Sequence, residues 1–176
     1  VDTTGKTVNG HAIPPAMSPD APDYVQNVLG KMMCGEGESI PVSQMPVDGT
    51  FPNGTSQYEK RNLALDLPEW DPTLCIQCGK CTAVCPHAVI RPVPMTDAEL
   101  AAAPAAVKSK AMTGMPGMNF VMTISTLDCT GCGSCVQVCP GMKGNKALAM
   151  SPIDNERPGQ EVFDYGVKLD PKPEVL

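Results

Sequence analysis

Two runs of the sequence share one cysteine spacing: Cys75-Ile76-Gln77-Cys78-Gly79-Lys80-Cys81-Thr82-Ala83-Val84-Cys85-Pro86 and, further along, Cys129-Thr130-Gly131-Cys132-Gly133-Ser134-Cys135-Val136-Gln137-Val138-Cys139-Pro140. Each run reads C-x2-C-x2-C-x3-C-P. Together they contain all but one of the nine cysteines in a chain of 176 residues. A spacing that occurs twice predicts two equivalent sites of four thiols each.

This spacing is typical of the cysteine ligands of [4Fe–4S] clusters in bacterial ferredoxins, where the fourth cysteine of a run ligates the other cluster. Gaps of two residues let one loop wrap around a cluster, and a cysteine four positions further on points away from that loop. We therefore expect crossed ligand sets and electron transfer. Cluster one is assigned to Cys75, Cys78, Cys81 and Cys139, and cluster two to Cys129, Cys132, Cys135 and Cys85.

Small and cyclic residues within the runs fit the same interpretation. Pro86 and Pro140 would turn the chain out of each loop after the fourth cysteine. Gly79, Gly131 and Gly133 permit positive φ, which would let backbone N–H groups approach the sulfurs and help to set the reduction potential.

Other cysteine chemistries fit the pattern less well. A zinc site needs four ligands, whereas each run offers three in close series and a displaced fourth. Disulfides between cysteines two residues apart would staple no distant segments. A C-x-x-C redox pair would leave six cysteines without a role.

Each cysteine run lies between two strand-like segments. These segments are residues 62–67 and 88–90 around the first run, and residues 120–125 and 147–150 around the second. The repeated unit predicts an α+β fold of the bacterial dicluster ferredoxin-like type, a pseudo-two-fold repeat of short strands and helices. We assign this domain to residues 63–153.

The two ends of the chain are rich in proline. Residues 1–62 are interpreted as an extended N-terminal arm or small linker domain, with one weakly amphipathic stretch at residues 24–33. Residues 154–176 are interpreted as a C-terminal linker toward a following domain. The ninth cysteine, Cys34, is not expected to be a ligand, because an isolated cysteine usually behaves as a small apolar residue.

Residues 92–119 form an insertion between the repeats that a minimal ferredoxin does not need. Within it, Thr96-Asp97-Ala98-Glu99 resembles a capping box and predicts a helix that Pro104 would stop or kink. The insertion either covers a cluster or meets a neighbouring domain, or else it is a tolerated surface loop.

Charge is distributed unevenly along the chain. The net charge is −6, yet residues 75–150 contain six basic and three acidic side chains. The basic residues either offset the anionic clusters or form a docking surface for an acidic carrier. The basic residues are Lys80, Arg91, Lys108, Lys110, Lys143 and Lys146.

Several classes of protein find no support in the sequence. No apolar stretch reaches the length of a membrane span, and no signal peptide is recognisable. Phosphate-binding loops, nucleophile elbows and basic aromatic patches for nucleic acids are not found either. We expect a cytoplasmic protein with no membrane or nucleic-acid partner. For His87 we expect a structural role, or contact with a cluster ligand, rather than ligation of a cluster.

The sequence around the runs resembles the internal section of pyruvate:ferredoxin (flavodoxin) oxidoreductases over roughly residues 19–152. Tyr58 is a mild departure, since tryptophan is expected there. The resemblance is carried by Pro46-Val47-Asp48-Gly49-Thr50-Phe51-Pro52, Gly54-Thr55, Glu59-Lys60-Arg61-Asn62, Trp70-Asp71-Pro72, Cys75-Ile76-Gln77-Cys78, Leu127-Asp128-Cys129-Thr130-Gly131-Cys132-Gly133 and Lys146-Ala147-Leu148.

The resemblance implies an enzyme that converts pyruvate and coenzyme A to acetyl-CoA and CO2 and passes electrons to ferredoxin or flavodoxin. Thiamine diphosphate, coenzyme A and a third [4Fe–4S] cluster would bind elsewhere in that enzyme, which would be a homodimer. No residue of this chain is then catalytic, and its two clusters would conduct electrons at low potential.

Two other hypotheses remain open at this point. The chain could be a free diffusible dicluster ferredoxin, or an iron–sulfur subunit of another redox complex. The proline-rich arm and the insertion favour the oxidoreductase section, because a free carrier needs neither of them.

Overall fold

A computed structural model describes residues 17–60 and 62–173 of the chain. By its contacts the chain divides into two compact units, residues 1–60 and residues 61–176. This division falls two residues before the end of the predicted N-terminal segment. No helix of the described residues is long and apolar enough to cross a membrane.

The N-terminal unit is more compact than the extended arm predicted from its prolines. A π-helical turn, Val25–Leu29, runs directly into helix α1, Gly30–Met33, over the stretch predicted to be amphipathic. Three short 3-10 turns follow, Gly37–Ser39, Val42–Gln44 and Thr55–Tyr58. Met17, Ala21 and Val25 form a small apolar core against which Leu29 and Tyr58 pack. Of the two alternatives left open for this segment, the small core favours a small linker domain over an extended arm.

The second unit contains two small antiparallel sheets, and each sheet pairs the strand before one cysteine run with the strand after the other run. Strand β1, Asp66–Trp70, pairs with β5, Leu148–Pro152. Strand β4, Asn119–Ile124, pairs on one side with β2, Ile90–Met95, and on the other with β3, Lys110–Ala111. Each predicted strand segment overlaps or adjoins an observed strand. The unit is thus of mixed α+β type.

The strand registers show the internal repeat directly. Trp70 lies five residues before the first cysteine of its run and pairs with Leu148, and Ile124 lies five residues before its own run and pairs with Ile90. The two strands that enter the cysteine runs are therefore equivalent, and Trp70 occupies the position that Ile124 occupies in the other half.

Each cysteine run folds as a loop followed by one short helix. Helix α2, Lys80–Ala83, and helix α4, Ser134–Val138, begin after Gly79 and Gly133, which have φ values of 72° and 73°. A left-handed backbone at this point favours glycine, because a Cβ atom would strain it. The two helices pack against each other, which brings the runs together at the centre of the unit.

The insertion begins as the sequence predicts. Helix α3, Asp97–Ala102, has a complete capping box, in which Glu99 N donates to Thr96 Oγ1 and Thr96 N donates to the Glu99 carboxylate. Pro104 lies two residues after Ala102, the last residue of the helix, and it could not continue the helical hydrogen bonds. The predicted helix is therefore confirmed.

The C-terminal segment is not the linker that its prolines suggested. Helices α5, Ile153–Glu156, and α6, Gly159–Gly166, follow β5, and α6 packs on β4 with Val162 and Phe163 buried. A Cβ atom on Gly166 would lie only 3.1 Å from the Thr123 side chain. Helix α6 therefore belongs, through close packing, to the unit that contains the two cysteine runs.

Candidate iron–sulfur centres

The structure groups the eight cysteines of the two runs around two cavities. The thiols that line the first cavity, called site one below, belong to Cys75, Cys78, Cys81 and Cys139. Those that line the second cavity, called site two, belong to Cys129, Cys132, Cys135 and Cys85.

The fourth cysteine of each run thus lies at the cavity of the other run. Each set of four thiols surrounds a cavity. Within residues 17–60 and 62–173, no group of three or more histidine, cysteine, aspartate or glutamate side chains is placed to hold a single metal ion. Ligation of clusters by these two sets stays a prediction.

The burial of the thiols follows the repeat. The first and third cysteines of both runs are no more than 9% exposed, whereas the second cysteines, Cys78 and Cys132, are exposed. The crossing cysteines, Cys85 and Cys139, are of intermediate exposure. Both sites therefore have a buried side and an open side at corresponding positions.

Burial also governs the protonation of the thiols. It raises the pKa of Cys81 and Cys129, and it raises the pKa of Cys135 to about 11. At the open side, hydrogen bonding with Ser134 lowers the pKa of Cys132. Because a metal ligand must be a thiolate, a bound cation has to stabilise the negative charge on the buried sulfurs.

Backbone N–H groups contact the sulfurs at equivalent positions. Gln77 N lies 3.4 Å from Cys75 Sγ and Gly131 N lies 3.4 Å from Cys129 Sγ, in each case two residues after the first cysteine. Ala147 N lies 3.3 Å from Cys139 Sγ. Such donors stabilise charge on sulfur and are a means of tuning a cluster. Of the three glycines expected to assist in this way, only Gly131 donates.

Gln77 was missed by the sequence analysis, although its position is the equivalent of Gly131. Its backbone has φ 58°, an unusual value for a residue with a side chain. The side chain reaches the insertion, where Nε2 donates to Ala111 O at 2.8 Å and Oε1 accepts from Thr113 N at 2.9 Å. These two bonds stabilise the strained backbone and attach the insertion to site one.

A lysine adds a third contact between the insertion and site one. Lys110 Nζ donates to Cys75 O at 2.7 Å, and Met112 packs against the core around the thiols. Of the alternatives left open for residues 92–119, these contacts favour a cover over cluster one.

Site two is supported from the opposite end of the chain. The side-chain oxygen of Gln160, on helix α6, accepts hydrogen bonds from Thr126 Oγ1 at 3.2 Å and from Leu127 N at 3.1 Å. These residues lead directly into Cys129. Helix α6 therefore fixes the entry to the second run, a role that the predicted linker would not have had.

Most of the basic residues in this region have partners within the chain. Lys146 Nζ donates to Val136 O and Gln137 O at the end of α4, Lys108 pairs with Glu69 at 3.0 Å, and Arg91 lies over the Phe163 ring. Together with the hydrogen bond from Lys110 to Cys75 O, these contacts favour a structural role of the basic residues over a docking surface for an acidic carrier. His87 lines the cavity of site two but is not one of its four predicted ligands. Cys34 is exposed and belongs to the N-terminal unit.

Comparison with known proteins gives matches over both parts of the chain. Residues 74–142 match a 4Fe-4S dicluster domain, and residues 10–64 match the EKR domain, whose function is unknown. Among curated proteins, the pyruvate-flavodoxin oxidoreductase of Rhodospirillum rubrum is 51% identical over 150 residues, which is 81% of this chain and 12% of that protein.

Two further relatives show the same coverage. The pyruvate:ferredoxin oxidoreductase of Moorella thermoacetica is 44% identical over 89% of this chain and 13% of its own length, and the pyruvate-flavodoxin oxidoreductase of Klebsiella pneumoniae is 42% identical over 86% and 13%. The chain spans about one eighth of the length of these relatives. It is homologous to one section of the pyruvate:ferredoxin/flavodoxin oxidoreductases, and that section contains a 4Fe-4S dicluster domain.

Proposed function

We propose that this chain conducts electrons between two [4Fe–4S] clusters, one held by Cys75, Cys78, Cys81 and Cys139 and the other by Cys129, Cys132, Cys135 and Cys85. The observation that carries the proposal is the grouping of four thiols around each cavity, with one cysteine contributed by the other run. Such clusters, when bound, take up and release one electron at a time.

The protein residues have three roles in this function. The thiolates hold the irons, the buried sides of both sites limit access of water, and the backbone N–H groups of Gln77 and Gly131 stabilise charge on the sulfurs. Because α2 and α4 pack together, the two sites are neighbours within one small unit. Pseudo-two-fold packing of this kind supports a path from one site to the other.

The larger reaction is proposed from the similarity to relatives. Their names assign them to the oxidation of pyruvate with ferredoxin or flavodoxin. In that reaction one pyruvate anion and one coenzyme A yield acetyl-CoA, CO2 and a proton, and two electrons leave singly through the clusters. Thiamine diphosphate, coenzyme A and a third cluster would bind outside this chain, in a cytoplasmic homodimer.

The extent of the similarity favours this proposal over a free ferredoxin. The relatives match 81–89% of the chain, which is more than the dicluster domain alone, and residues 10–64 match a separate domain. We propose residues 63–153 as the core of the cluster domain, with helix α6 as a further part of it. Co-purification with a thiamine-containing protein is expected, whereas an active monomer of this size would support the free carrier.

The direct test is the iron and sulfide content of protein purified without air. Two [4Fe–4S] clusters require about eight of each, and redox titration followed by electron paramagnetic resonance should give two midpoints below zero. Cys34→Ser is the matched control, since it removes the one cysteine outside both runs and should leave the content unchanged. Zinc in place of iron, or midpoints above zero, would reject the proposal.

A further inference from the structure

Trp70 is the last residue of strand β1 and forms part of the wall of site one. Its side chain is 4% exposed, and its ring lies 6.0 Å from that of Phe120 in a tilted arrangement. It lines the same cavity as Cys75, Cys78, Cys81 and Cys139. A large aromatic side chain is thus buried directly beside the four thiols.

The indole nitrogen of Trp70 is buried without a hydrogen-bond partner among the described residues. A buried donor without an acceptor destabilises the fold, so such groups normally have an acceptor. Thr82 Oγ1, which follows Cys81 in the chain, is the other buried side-chain atom without a partner in the described part of the chain. Of these two residues, Trp70 lines the cavity of site one.

Site two has no equivalent of this donor. The strand register places Ile124 at the position of Trp70, and an isoleucine side chain has no N–H group. Ile124 is also not among the residues that line the cavity of site two. Site one therefore has a buried side-chain N–H group at a position where site two has none.

We propose that the indole N–H of Trp70 donates a hydrogen bond to a sulfur of the cluster in site one and raises the reduction potential of that cluster. This inference rests on the proposed function. The reduced cluster carries one more negative charge than the oxidised cluster, so a donor to sulfur stabilises the reduced form more strongly. The donor thereby makes the two clusters unequal as electron acceptors.

The first test is spectroscopic and starts from the unsubstituted protein labelled with ¹⁵N. Trp70 is the only tryptophan of the sequence, so ¹⁵N-tryptophan labels one indole in this chain. With site one reduced, electron–nuclear double resonance should detect coupling of the cluster to this ¹⁵N and to one exchangeable proton. The Trp70→Phe variant should lose both couplings, and their absence from the unsubstituted protein would overturn the proposal.

A redox titration provides the second measurement. Trp70→Phe, and replacement of Trp70 by benzothienylalanine, which keeps the ring shape but has sulfur in place of N–H, should both lower the potential of cluster one. The ratio of reduced to oxidised cluster one should fall several-fold and at most about tenfold, equivalent to about 59 mV for a one-electron couple. Cluster two should be unaffected.

A matched control separates the effects of packing and of water access on the potential from the effect of the hydrogen bond. Phe120→Leu removes the neighbour of the Trp70 ring but keeps the indole N–H, so it should retain the ¹⁵N coupling. A lower potential in the phenylalanine variant with an unchanged value for benzothienylalanine would assign the effect to packing and overturn the proposal. Full iron content without ¹⁵N coupling would reject this inference alone, whereas protein without clusters would reject the proposed function.

Discussion

Site one and site two have the same arrangement of thiols but different surroundings. In both, the first and third cysteines are buried, the second is exposed, and a residue two positions after the first cysteine directs its N–H toward that sulfur. The supports differ, because the insertion contacts site one through Gln77 whereas helix α6 supports site two through Gln160. The repeat therefore determines the ligand geometry, and non-repeated segments determine the environment of each cluster.

The loop position two residues after the first cysteine of each run shows why the surroundings of the two sites cannot be exchanged. A Cβ atom at Gly131 would lie 3.0 Å from the carbonyl oxygen of Asp66, so this loop is confined by strand β1. At the equivalent position, Gln77 has a side chain that reaches β3 and the residues after it. Equivalent backbone positions are therefore closed at site two and open toward the insertion at site one.

The largest effect is expected from exchanging the crossing cysteines for alanine. Cys139→Ala removes a thiol from site one, although Cys139 belongs to the second run, and Cys85→Ala does the reverse. Each variant should lose or degrade one cluster, so the iron content should fall from about eight toward about four. Electron paramagnetic resonance of the reduced variants identifies the surviving cluster.

The reference for assigning the signals is a cysteine that does not cross. Cys78→Ala should affect the same signal as Cys139→Ala, and Cys132→Ala the same signal as Cys85→Ala. If Cys139→Ala instead altered the signal lost in Cys132→Ala, the crossed ligand sets would be wrong and each run would hold its own cluster.

A smaller effect is expected when the two loops are made alike. Gly131→Gln introduces a side chain at φ 69° and against the Asp66 carbonyl, which should destabilise site two by about 2–4 kcal/mol. The reciprocal Gln77→Gly loses two hydrogen bonds but also relieves a positive φ. Its net cost is therefore expected to be about 1 kcal/mol at site one.

The rate of cluster loss in the presence of an iron chelator, followed without air, measures both changes. Gln77→Gly should accelerate the loss of cluster one about fivefold while cluster two is lost at its original rate. Gly131→Gln should act on cluster two, and more strongly. Equal acceleration of both clusters by either variant would show that the supports are shared, contrary to the structure.

The sequence predicted the repeated part of the fold better than its supports. Cysteine spacing is set by local geometry, so the placement of Cys85 and Cys139 at opposite cavities follows the pattern, and the capping box of α3 is equally local. Proline was the source of error. Pro158 directly precedes α6 and is tolerated at the start of a helix, although it was interpreted as part of a linker.

Contacts between distant segments were beyond the reach of the sequence. The bonds from Gln77 to Ala111 and from Gln160 to Leu127 join residues more than thirty positions apart. Gln77 occupies a variable position of the first cysteine run and Gln160 lies outside both runs, and a glutamine side chain has no spacing rule of its own. The positive φ of Gln77 could have been suspected only from its equivalence to Gly131, since the cysteine runs align without gaps.

The insertion is also attached at its other end, where Glu99 on α3 pairs with Lys172 at 2.9 Å. Tyr165 on α6 donates to Glu99 O at 2.8 Å, so the two supports contact each other here. Hydrogen bonding from the Thr96 backbone, and then from Lys172, lowers the pKa of Glu99 below its ordinary value of 4.5. The support of site one should therefore depend weakly on pH.

The sign of this dependence follows from the lowered pKa. Stability contributed by Glu99 is fully present above its ordinary pKa and is lost as the pH falls through the lower, folded value. Glu99→Gln keeps a residue that can complete the capping box but removes the charge, so it should abolish this part of the acid sensitivity, about 0.5 kcal/mol. Lys172→Met should remove only the share due to the ion pair. The measurement is the rate of cluster-one loss from pH 6 to pH 4, compared between each variant and the unsubstituted protein. Parallel pH profiles for all three proteins would show that Glu99 contributes nothing to site one.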